Sequence, residues 1–208
     1  MINVIDYQTG NSRSVAYALE YLGVPCSLTA KPSDVAEIDR FILPGVGSAE
    51  VTMKSLSQAG WSDFLAEHVI GDGVPFLGVC VGLQVLFEHS EEGDTGCLGW
   101  FPGSVARFAP AAVRVPQMGW NRVTAASDHP FVESFPADGY FYFVNSYYAN
   151  PARRTDVAGW TEYGVEFASV VARNNVMATQ FHIEKSGPCG LSLLRRFASL
   201  DRESLRAD

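Results

Sequence analysis

The first half of the chain alternates short apolar runs with longer amphipathic stretches. Short segments rich in apolar residues, of the kind that form strands, occupy residues 2–7, 26–29, 40–43 and 75–79. Between and after them, the apolar residues recur with a helical period and predict helices over 13–22, 49–58, 62–69 and 81–87. This order of strands and helices predicts a parallel sheet covered by helices.

The pattern changes beyond residue 90. Glycine, proline and acidic residues at 91–103 predict a long loop. After it, short apolar and aromatic runs at 105–108, 121–125, 140–146, 167–173 and 176–181 predict a more antiparallel section of the sheet, and 186–199 predicts a closing helix. Because no repeat or low-complexity linker interrupts the chain, residues 1–208 are predicted to form a single domain.

Composition narrows the class of protein. The chain has 208 residues and is 47% hydrophobic, which is enough for a sizeable core. Its 15 basic and 23 acidic residues give a formal charge of -8 without a basic patch, which argues against a nucleic-acid partner. The first residues do not resemble a signal peptide, and no apolar stretch is long enough to span a bilayer. We therefore expect a cytoplasmic protein with reduced cysteines, no membrane partner, and no metal or cofactor.

The most informative segment is Gly-Val-Cys-Val-Gly at 78–82, where Cys80 lies between two glycines directly after an apolar run. This spacing is the thiol form of a nucleophile elbow, in which a buried strand turns sharply into a helix. The start of that helix favours a thiolate, and its N–H groups can receive an oxyanion. The alternative is a structural cysteine in a core strand. The two glycines favour the catalytic interpretation.

A thiol nucleophile needs a base, and His182 is the best candidate of four histidines. It follows a strand-like run, and Glu184 stands two positions later. Residues two apart on an extended segment point the same way, so Glu184 is predicted to orient the imidazole. The other three, His68, His89 and His129, lie in polar or turn sequence and are expected to have no chemical role.

With these residues the chain resembles the class I, or triad type, glutamine amidotransferases. More narrowly, it resembles the glutaminase subunits of imidazole glycerol phosphate synthase, of which the Pro-Gln-Met-Gly-Trp-Asn block at 116–121 is the most particular sign. The matching blocks span nearly the whole chain: Asp6-Tyr7, Gly10-Asn11, Arg13-Ser14, Leu43-Pro44-Gly45-Val46-Gly47, Gly78 to Gln84, Pro116 to Asn121, Tyr142-Phe143-Val144, Ser146-Tyr147, Gln180-Phe181-His182 and Glu184-Lys185-Ser186.

The resemblance implies an α/β fold: a flavodoxin-like three-layer sandwich with a largely parallel central sheet and an antiparallel extension. It implies that Cys80, His182 and Glu184 hydrolyse glutamine to glutamate and ammonia. An N–H of Gly45 or Val46 would join that of Val81 in an oxyanion hole, in keeping with a glycine-rich loop that can aim a backbone N–H at a carbonyl. The predicted substrate-binding residues are Gly47, Gln84, Ser146 and Tyr147.

The resemblance also implies a partner, since free ammonia would be lost in water. That partner is a TIM-barrel cyclase, which uses the ammonia to make imidazole glycerol phosphate in histidine biosynthesis. In related subunits the glycine-rich loop is thought to reorient on activation, which would make turnover depend on the partner. The predicted interface residues are Asn11, Met118, Trp120, Asn121 and Lys185.

The chain departs from the family pattern at Gln8, Ser12, Asn145 and Ile183, the last of which stands where a proline is usual. None of these is a triad member. The departures leave open a paralogue that feeds ammonia to a different synthase, such as one that amidates a nucleotide sugar. A non-catalytic regulatory subunit is a further hypothesis, against which the intact triad argues. The block at 116–121 argues against a cysteine peptidase or thiol hydrolase with the same elbow.

Overall fold

The computed structural model describes residues 1–7, 11–133, 135–136 and 139–205. Within these ranges the strands are, in chain order, Ile2–Ile5 (β1), Cys26–Thr29 (β2), Arg40–Gly45 (β3), Phe76–Cys80 (β4), His89–Ser90 (β5), Thr95–Gly96 (β6), Gly103–Arg107 (β7), Gln117–Arg122 (β8), Thr124–Ala125 (β9), Tyr140–Asn145 (β10), Tyr147–Pro151 (β11), Val157–Glu162 (β12), Glu166–Arg173 (β13) and Val176–Thr179 (β14).

The α-helices of the same ranges are Ser12–Tyr21 (α1), Ala49–Gln58 (α2), Trp61–Leu65 (α3), Val81–Gln84 (α4) and Gly187–Ser199 (α5). A π-helical turn, Ala66–Gly71, continues α3. Short 3-10 turns lie at Pro32–Asp34, Pro130–Val132, Arg154–Asp156, Ile183–Lys185 and Glu203–Leu205. The serine that precedes α2, Ser48, accepts a hydrogen bond from the N–H of Val51 and caps the helix.

The sheet confirms the predicted mixture of a parallel centre and an antiparallel extension. The strands β2, β1, β3, β4 and β14 are parallel neighbours in that order. Beyond β14, the strands β13, β11 and β7 follow in that order, each antiparallel to the strand before it. Strands β8 and β10 form a separate antiparallel pair, called the ribbon below.

The parallel centre is buried on both faces, as its sequence requires. Every residue of β1, β4 and β14 is buried. Continuous apolar runs are typical of parallel strands that have helices on both sides. On the helices, the buried residues repeat at helical spacing, as with Val15 and Leu19 of α1 and Leu193 and Phe197 of α5.

Several predicted boundaries are wrong. The helix predicted over 81–87 ends at Gln84, because Val85, Leu86 and Phe87 use their carbonyls to accept from the N–H groups of residues 98, 101 and 99. The loop predicted over 91–103 contains β6, and the run predicted at 121–125 is the end of β8 followed by β9. The sequence pattern does not predict strands β11 and β12. Among the described residues, no helix combines the length and apolar character needed to cross a bilayer.

Candidate active site

The nucleophile elbow lies at the carboxyl ends of three adjacent parallel strands, β3, β4 and β14. Cys80 is the last residue of β4. Its φ of 57° and ψ of -107° lie outside the backbone regions that residues other than glycine ordinarily adopt. The next residue begins α4. The predicted sharp turn from strand to helix is therefore present, and the strain is borne by the candidate nucleophile itself.

The two glycines of the elbow are required by close backbone contacts. A Cβ at Gly82 would lie 2.0 Å from the carbonyl oxygen of Leu43, and a Cβ at Gly78 would lie 2.4 Å from the carbonyl oxygen of Gly82. Real side chains do not approach a backbone oxygen so closely. The Gly-x-Cys-x-Gly spacing thus has a packing cause: α4 must lie directly on β3 and β4.

His182 and Glu184 lie together as predicted, but by a different local geometry. The Nδ1 atom of His182 is 3.0 Å from the Oε1 atom of Glu184. The expected extended segment is wrong beyond His182, because Ile183–Lys185 is a 3-10 turn. Since Nδ1 is turned to Glu184, Nε2 is the ring nitrogen left for Cys80, which lies close enough to raise the pKa of the imidazole.

The amide of Asn11 also belongs to this cluster. Its Nδ2 donates to Oε1 of Glu184 at 2.7 Å, and the Glu184 side chain is fully buried. Asn11 itself is 6% exposed. The residue predicted to lie at a partner interface therefore has its side chain committed to the carboxylate of the candidate triad.

Electrostatics in the cluster favour a charged imidazole. Burial alone would lower the pKa of His182, but hydrogen bonds and charge from Cys80 and Glu184 outweigh it and raise the pKa to about 10. Burial would raise the pKa of Glu184, but His182 and the amide of Asn11 hold it below its ordinary value. At neutral pH His182 is therefore protonated beside the carboxylate of Glu184.

A second polar chain reaches the sulfur from the opposite side. Gln84 donates from Nε2 to the carbonyl of Tyr147 at 3.2 Å and to Oε1 of Gln180 at 3.1 Å. Gln180, fully buried, donates in turn from Nε2 to the Sγ of Cys80 at 3.8 Å. The register of β14 with β4 explains this contact, because Thr179 lies opposite Val79 and the next residues are neighbours.

These groups open into a cavity of about 280 Å³. It contains the predicted Val46, Gly47, Val81, Gln84, Ser146 and Tyr147 together with Cys80 and His182, and it is completed by Glu92, Pro116, Val144 and Asn145. Gly45 does not line it, since it lies in β3 opposite Cys80. The cavity brings the candidate nucleophile, base and substrate residues to one place.

Comparison with known proteins identifies the family. The model of the family "Glutamine amidotransferase class-I" matches residues 3–199. The chain belongs to this family. Within it, the chain is 46% identical to "Imidazole glycerol phosphate synthase subunit HisH" of Dehalococcoides mccartyi (strain CBDB1), over 95% of this chain and 96% of that protein. The protein with the same name from Desulfitobacterium hafniense (strain Y51) is 45% identical, over 95% and 93%.

Solved structures of glutamine amidotransferases share the fold. A structure described as "Crystal structure of glutamine amidotransferase" superposes with a TM-score of 0.75 at 19% identity, over 96% of this chain and 99% of that one. The "Structure of PurLQS from Thermotoga maritima" gives a TM-score of 0.73 at 17% identity, over 94% and 96%. The predicted fold class is confirmed. The curated relatives, at 45–46% identity over nearly the whole chain, support the glutaminase subunit of imidazole glycerol phosphate synthase as the function.

Two residues at or beside this cavity are given no role in the site by the sequence. Gln180 is identified only as part of a strand and of a matching block, although its position two residues before His182 puts it beside the elbow. Glu92 lies in the segment predicted as a loop, and its Oε2 accepts from the N–H of Ala49 at 2.9 Å. No periodicity identifies Glu92, because its position depends on how the turn between β5 and β6 folds back on the start of α2.

The predicted interface residues of the amidotransferase divide into an exposed group and a group that is buried or half-buried. Met118 and Trp120 are 67% and 56% exposed on the outer face of the ribbon, and Lys185 is exposed. Asn121 is half-buried, and its amide donates to the carbonyl of Glu162. The block at 116–121, expected to be a loop, contains the strand β8. Its alternation places Met118 and Trp120 outward and Gln117 inward.

The departures from the family pattern are accommodated by local contacts. Ser12 donates from its hydroxyl to Asp6 at 2.9 Å at the start of α1. Ile183 is fully buried, and Asn145 lines the cavity. Gln8 lies outside the described residues, as does Gly10.

The remaining histidines lie outside the catalytic cavity. His68 and His89 contact Asp72 and Asp94, and His129 accepts from the N–H of Phe131 at the start of a 3-10 turn.

Proposed function

We propose that Cys80, His182 and Glu184 form the catalytic triad of a glutaminase. The observation that carries this assignment is the strained Cys80 at the end of β4, in one cavity with an imidazole whose Nδ1 is 3.0 Å from a buried carboxylate. Each group has one chemical part: the thiol is the nucleophile, the imidazole transfers protons, and the carboxylate fixes the ring.

The reaction follows from this geometry. The Cys80 thiolate attacks the side-chain carbonyl of glutamine, and the oxygen becomes an oxyanion. His182, which carries a proton at neutral pH, gives it to the departing nitrogen, so that ammonia leaves and a thioester remains. The imidazole then takes a proton from water, which attacks the thioester and releases glutamate and the free thiol. Glu184 supports the charge on the ring in both steps.

The oxyanion is assigned to backbone donors at the ends of β3 and β4. Val81 is the first residue of α4, so its N–H has no partner four residues back in the helix. Val46 lines the cavity, whereas Gly45 is held in the ladder opposite Cys80. Between Gly45 and Val46 as the second donor, this geometry favours Val46.

The substrate's amino and carboxylate groups are assigned to the far end of the cavity. Glu92 carries the negative charge that suits an ammonium group, and it lies with Gly47, Ser146 and Tyr147 along the wall. Gln84 contributes its amide from one helical turn beyond Cys80. This arrangement would hold the substrate with its side-chain carboxamide toward the sulfur.

The ammonia is proposed to go to a TIM-barrel cyclase subunit that docks on the outer face of the ribbon, in the cytoplasm. The curated relatives are named as subunits of a synthase, which supports a second subunit here. The exposed Met118 and Trp120 provide the apolar surface that such a contact needs. Val144 and Asn145 of the other ribbon strand line the cavity, so the partner would dock beside the site of ammonia release.

A glutamine analogue with an electrophilic chloroketone tests the assignment. We expect one label per chain on Cys80, protection by glutamine, and no label on Cys80→Ala. The matched control is Cys97→Ala, which removes another half-buried thiol and should label like the parent. Absence of labelling with and without the cyclase, or labelling that glutamine does not block, would overturn the proposed triad.

A further inference from the structure

The inner face of the ribbon ends in a pair of buried amides that lack partners. Gln117 and Asn145 are directly opposite each other in the register of β8 and β10. They are 3% and 5% exposed. Both amide atoms of Gln117, and Oδ1 of Asn145, have no hydrogen-bond partner within the described chain. Buried polar atoms are nearly always hydrogen-bonded, so three such atoms in one cross-strand pair indicate a binding site for a small polar molecule.

The pair adjoins the catalytic cavity. Asn145 lines the cavity directly, and so does Pro116, the residue before Gln117. Val144, which precedes Asn145, accepts a contact from the Sγ of Cys80 at 3.9 Å through its carbonyl. The Nδ2 of Asn145 is already used, because it donates to the carbonyl of Tyr147 at 3.0 Å. The amide pair therefore lies at the edge of the cavity that contains Cys80.

The unpaired amide atoms of Gln117 and Asn145 define which ligand can bind between them. Two amide oxygens accept hydrogen bonds and one NH₂ group donates them. Neutral ammonia matches this set, since it donates from its N–H bonds to both oxygens and accepts at its lone pair. Water matches it too. Ammonium has no lone pair for the Gln117 N–H, and the two neutral amides give its charge no counterion.

We propose that Gln117 and Asn145 bind one molecule of neutral ammonia on its way from Cys80 to the outer face of the ribbon, with water there in the resting enzyme. The site rests on the proposed glutaminase function. On the other side of the same strand, Met118 is exposed where the partner is proposed to dock. Ammonia that passes the end of the ribbon would therefore emerge at the partner and not in bulk water.

The variant Gln117→Met tests the site because it keeps the length of the side chain and removes its polar atoms. In the complex with the cyclase, two rates are measured together: glutamate release and formation of the cyclase product. We expect glutamate release within twofold of the parent and at least a threefold loss of product formed per glutamate. The lost nitrogen should be recovered as ammonia in solution. The same substitution at an exposed glutamine, Gln58→Met, should leave the ratio at the parent's value.

Folding is checked by the melting temperature of each variant. Replacing an unpartnered buried amide by an apolar group of the same shape should leave the temperature unchanged or raise it. If Gln117→Met does not fold, Gln117→Glu takes its place; its carboxylate should retain ammonium and lower the ratio as well. A folded variant with the parent's ratio of product to glutamate overturns the ammonia site. A parent complex that releases glutamate without transferring nitrogen overturns the proposed function, and this site with it.

Discussion

The elbow and the ribbon are both next to the catalytic cavity, yet they are built in opposite ways. Strand β4 is buried at every residue between two parallel neighbours, and the two glycines of the elbow allow backbone contacts that no side chain would fit. The ribbon has two strands. Its inner face packs into the core, where Phe141 stacks on Phe181 at 4.2 Å, while its outer face exposes Met118 and Trp120.

This difference indicates that the elbow is stabilised by contacts within the chain, whereas the outer face of the ribbon is available to a partner. A two-stranded antiparallel pair is only marginally stable by itself, and a cluster of exposed apolar side chains is typical of an interaction surface. The proposed triad is thus held by packing within the chain. We expect the ribbon's outer face to gain buried area only in the proposed complex. Substitutions in the two regions should therefore affect different measurements.

The largest effect is expected from Gly82→Ala at the elbow. The new methyl group would collide with the carbonyl of Leu43, so α4 must move away from β3. We expect the free energy of unfolding to fall by about 3 kcal/mol. Urea titration measures this change. The matched control is Gly96→Ala, where a Cβ would meet nothing within 4 Å; its stability should stay within about 1 kcal/mol of the parent. Equal effects of the two changes would show that the close contact at the elbow is not needed.

Gln180→Glu should impair catalysis without unfolding the chain. The new side chain still has an oxygen that accepts from Gln84. Its second oxygen replaces the NH₂ group that donates to the sulfur of Cys80. We expect a loss of about 10- to 100-fold in glutamate release, which corresponds to about 1.4–2.7 kcal/mol. The pH midpoint for alkylation of Cys80 should also rise, because the thiolate loses a donor. An alkylation midpoint identical to the parent's would mean that Gln180 does not position the thiol. Exposed Gln58→Glu is the control.

The pH dependence of stability tests the pair of His182 and Glu184. The pKa of His182 is raised above its ordinary value of 6.5. Its contribution to the free energy of unfolding is therefore complete below about pH 6.5 and is lost as the pH rises through about 10. The pKa of Glu184 is lowered, so its contribution is present above about 4.5 and is lost as the pH falls further. The free-energy difference between the parent and Glu184→Gln should therefore be greatest between about pH 4.5 and 6.5, at about 1.5–3 kcal/mol.

Unfolding titrations at several pH values measure this difference. The control Glu67→Gln removes an exposed carboxylate and should give a small difference throughout. A Glu184→Gln difference that is flat between pH 5 and 10 would contradict the assigned ion pair.

The smallest effect on stability is expected from Trp120→Ala on the ribbon. The side chain is more than half exposed and contacts Tyr142 edge to face at 5.9 Å, so the loss should stay within about 1 kcal/mol. Binding of the cyclase should weaken about tenfold or more. A binding titration measures this, with the exposed apolar Ile70→Ala as control. Unchanged binding would place the partner surface elsewhere.

The elbow can be predicted from the sequence because its glycines and apolar strand are local signals. The contact of His182 with Glu184 is also predictable, although the expected backbone is extended where the chain makes a 3-10 turn. A separation of two residues brings these side chains together in an extended segment and in a 3-10 turn alike. The family match confirms the predicted fold and class of protein, while the roles of individual site residues stay predictions.

The rest depends on contacts distant in sequence. The family motif places Asn11 at an interface, but its amide reaches Glu184, 173 positions away. Glu92 reaches the start of α2 across the cavity. The first strand of the ribbon resembles a loop in the sequence because β8 alternates exposed and buried residues around a glycine, and a strand that pairs with one neighbour has little apolar signal.

The most direct test is the rate of glutamate release by the purified chain, alone and then with the histidine-pathway cyclase and its ligand. The parent should be strongly stimulated by the cyclase. Cys80→Ala should release no glutamate in either condition, and Trp120→Ala should need more cyclase for the same rate. Glutamate release that persists in Cys80→Ala would contradict the triad, and a parent rate unaffected by the cyclase would contradict the ribbon as its docking surface.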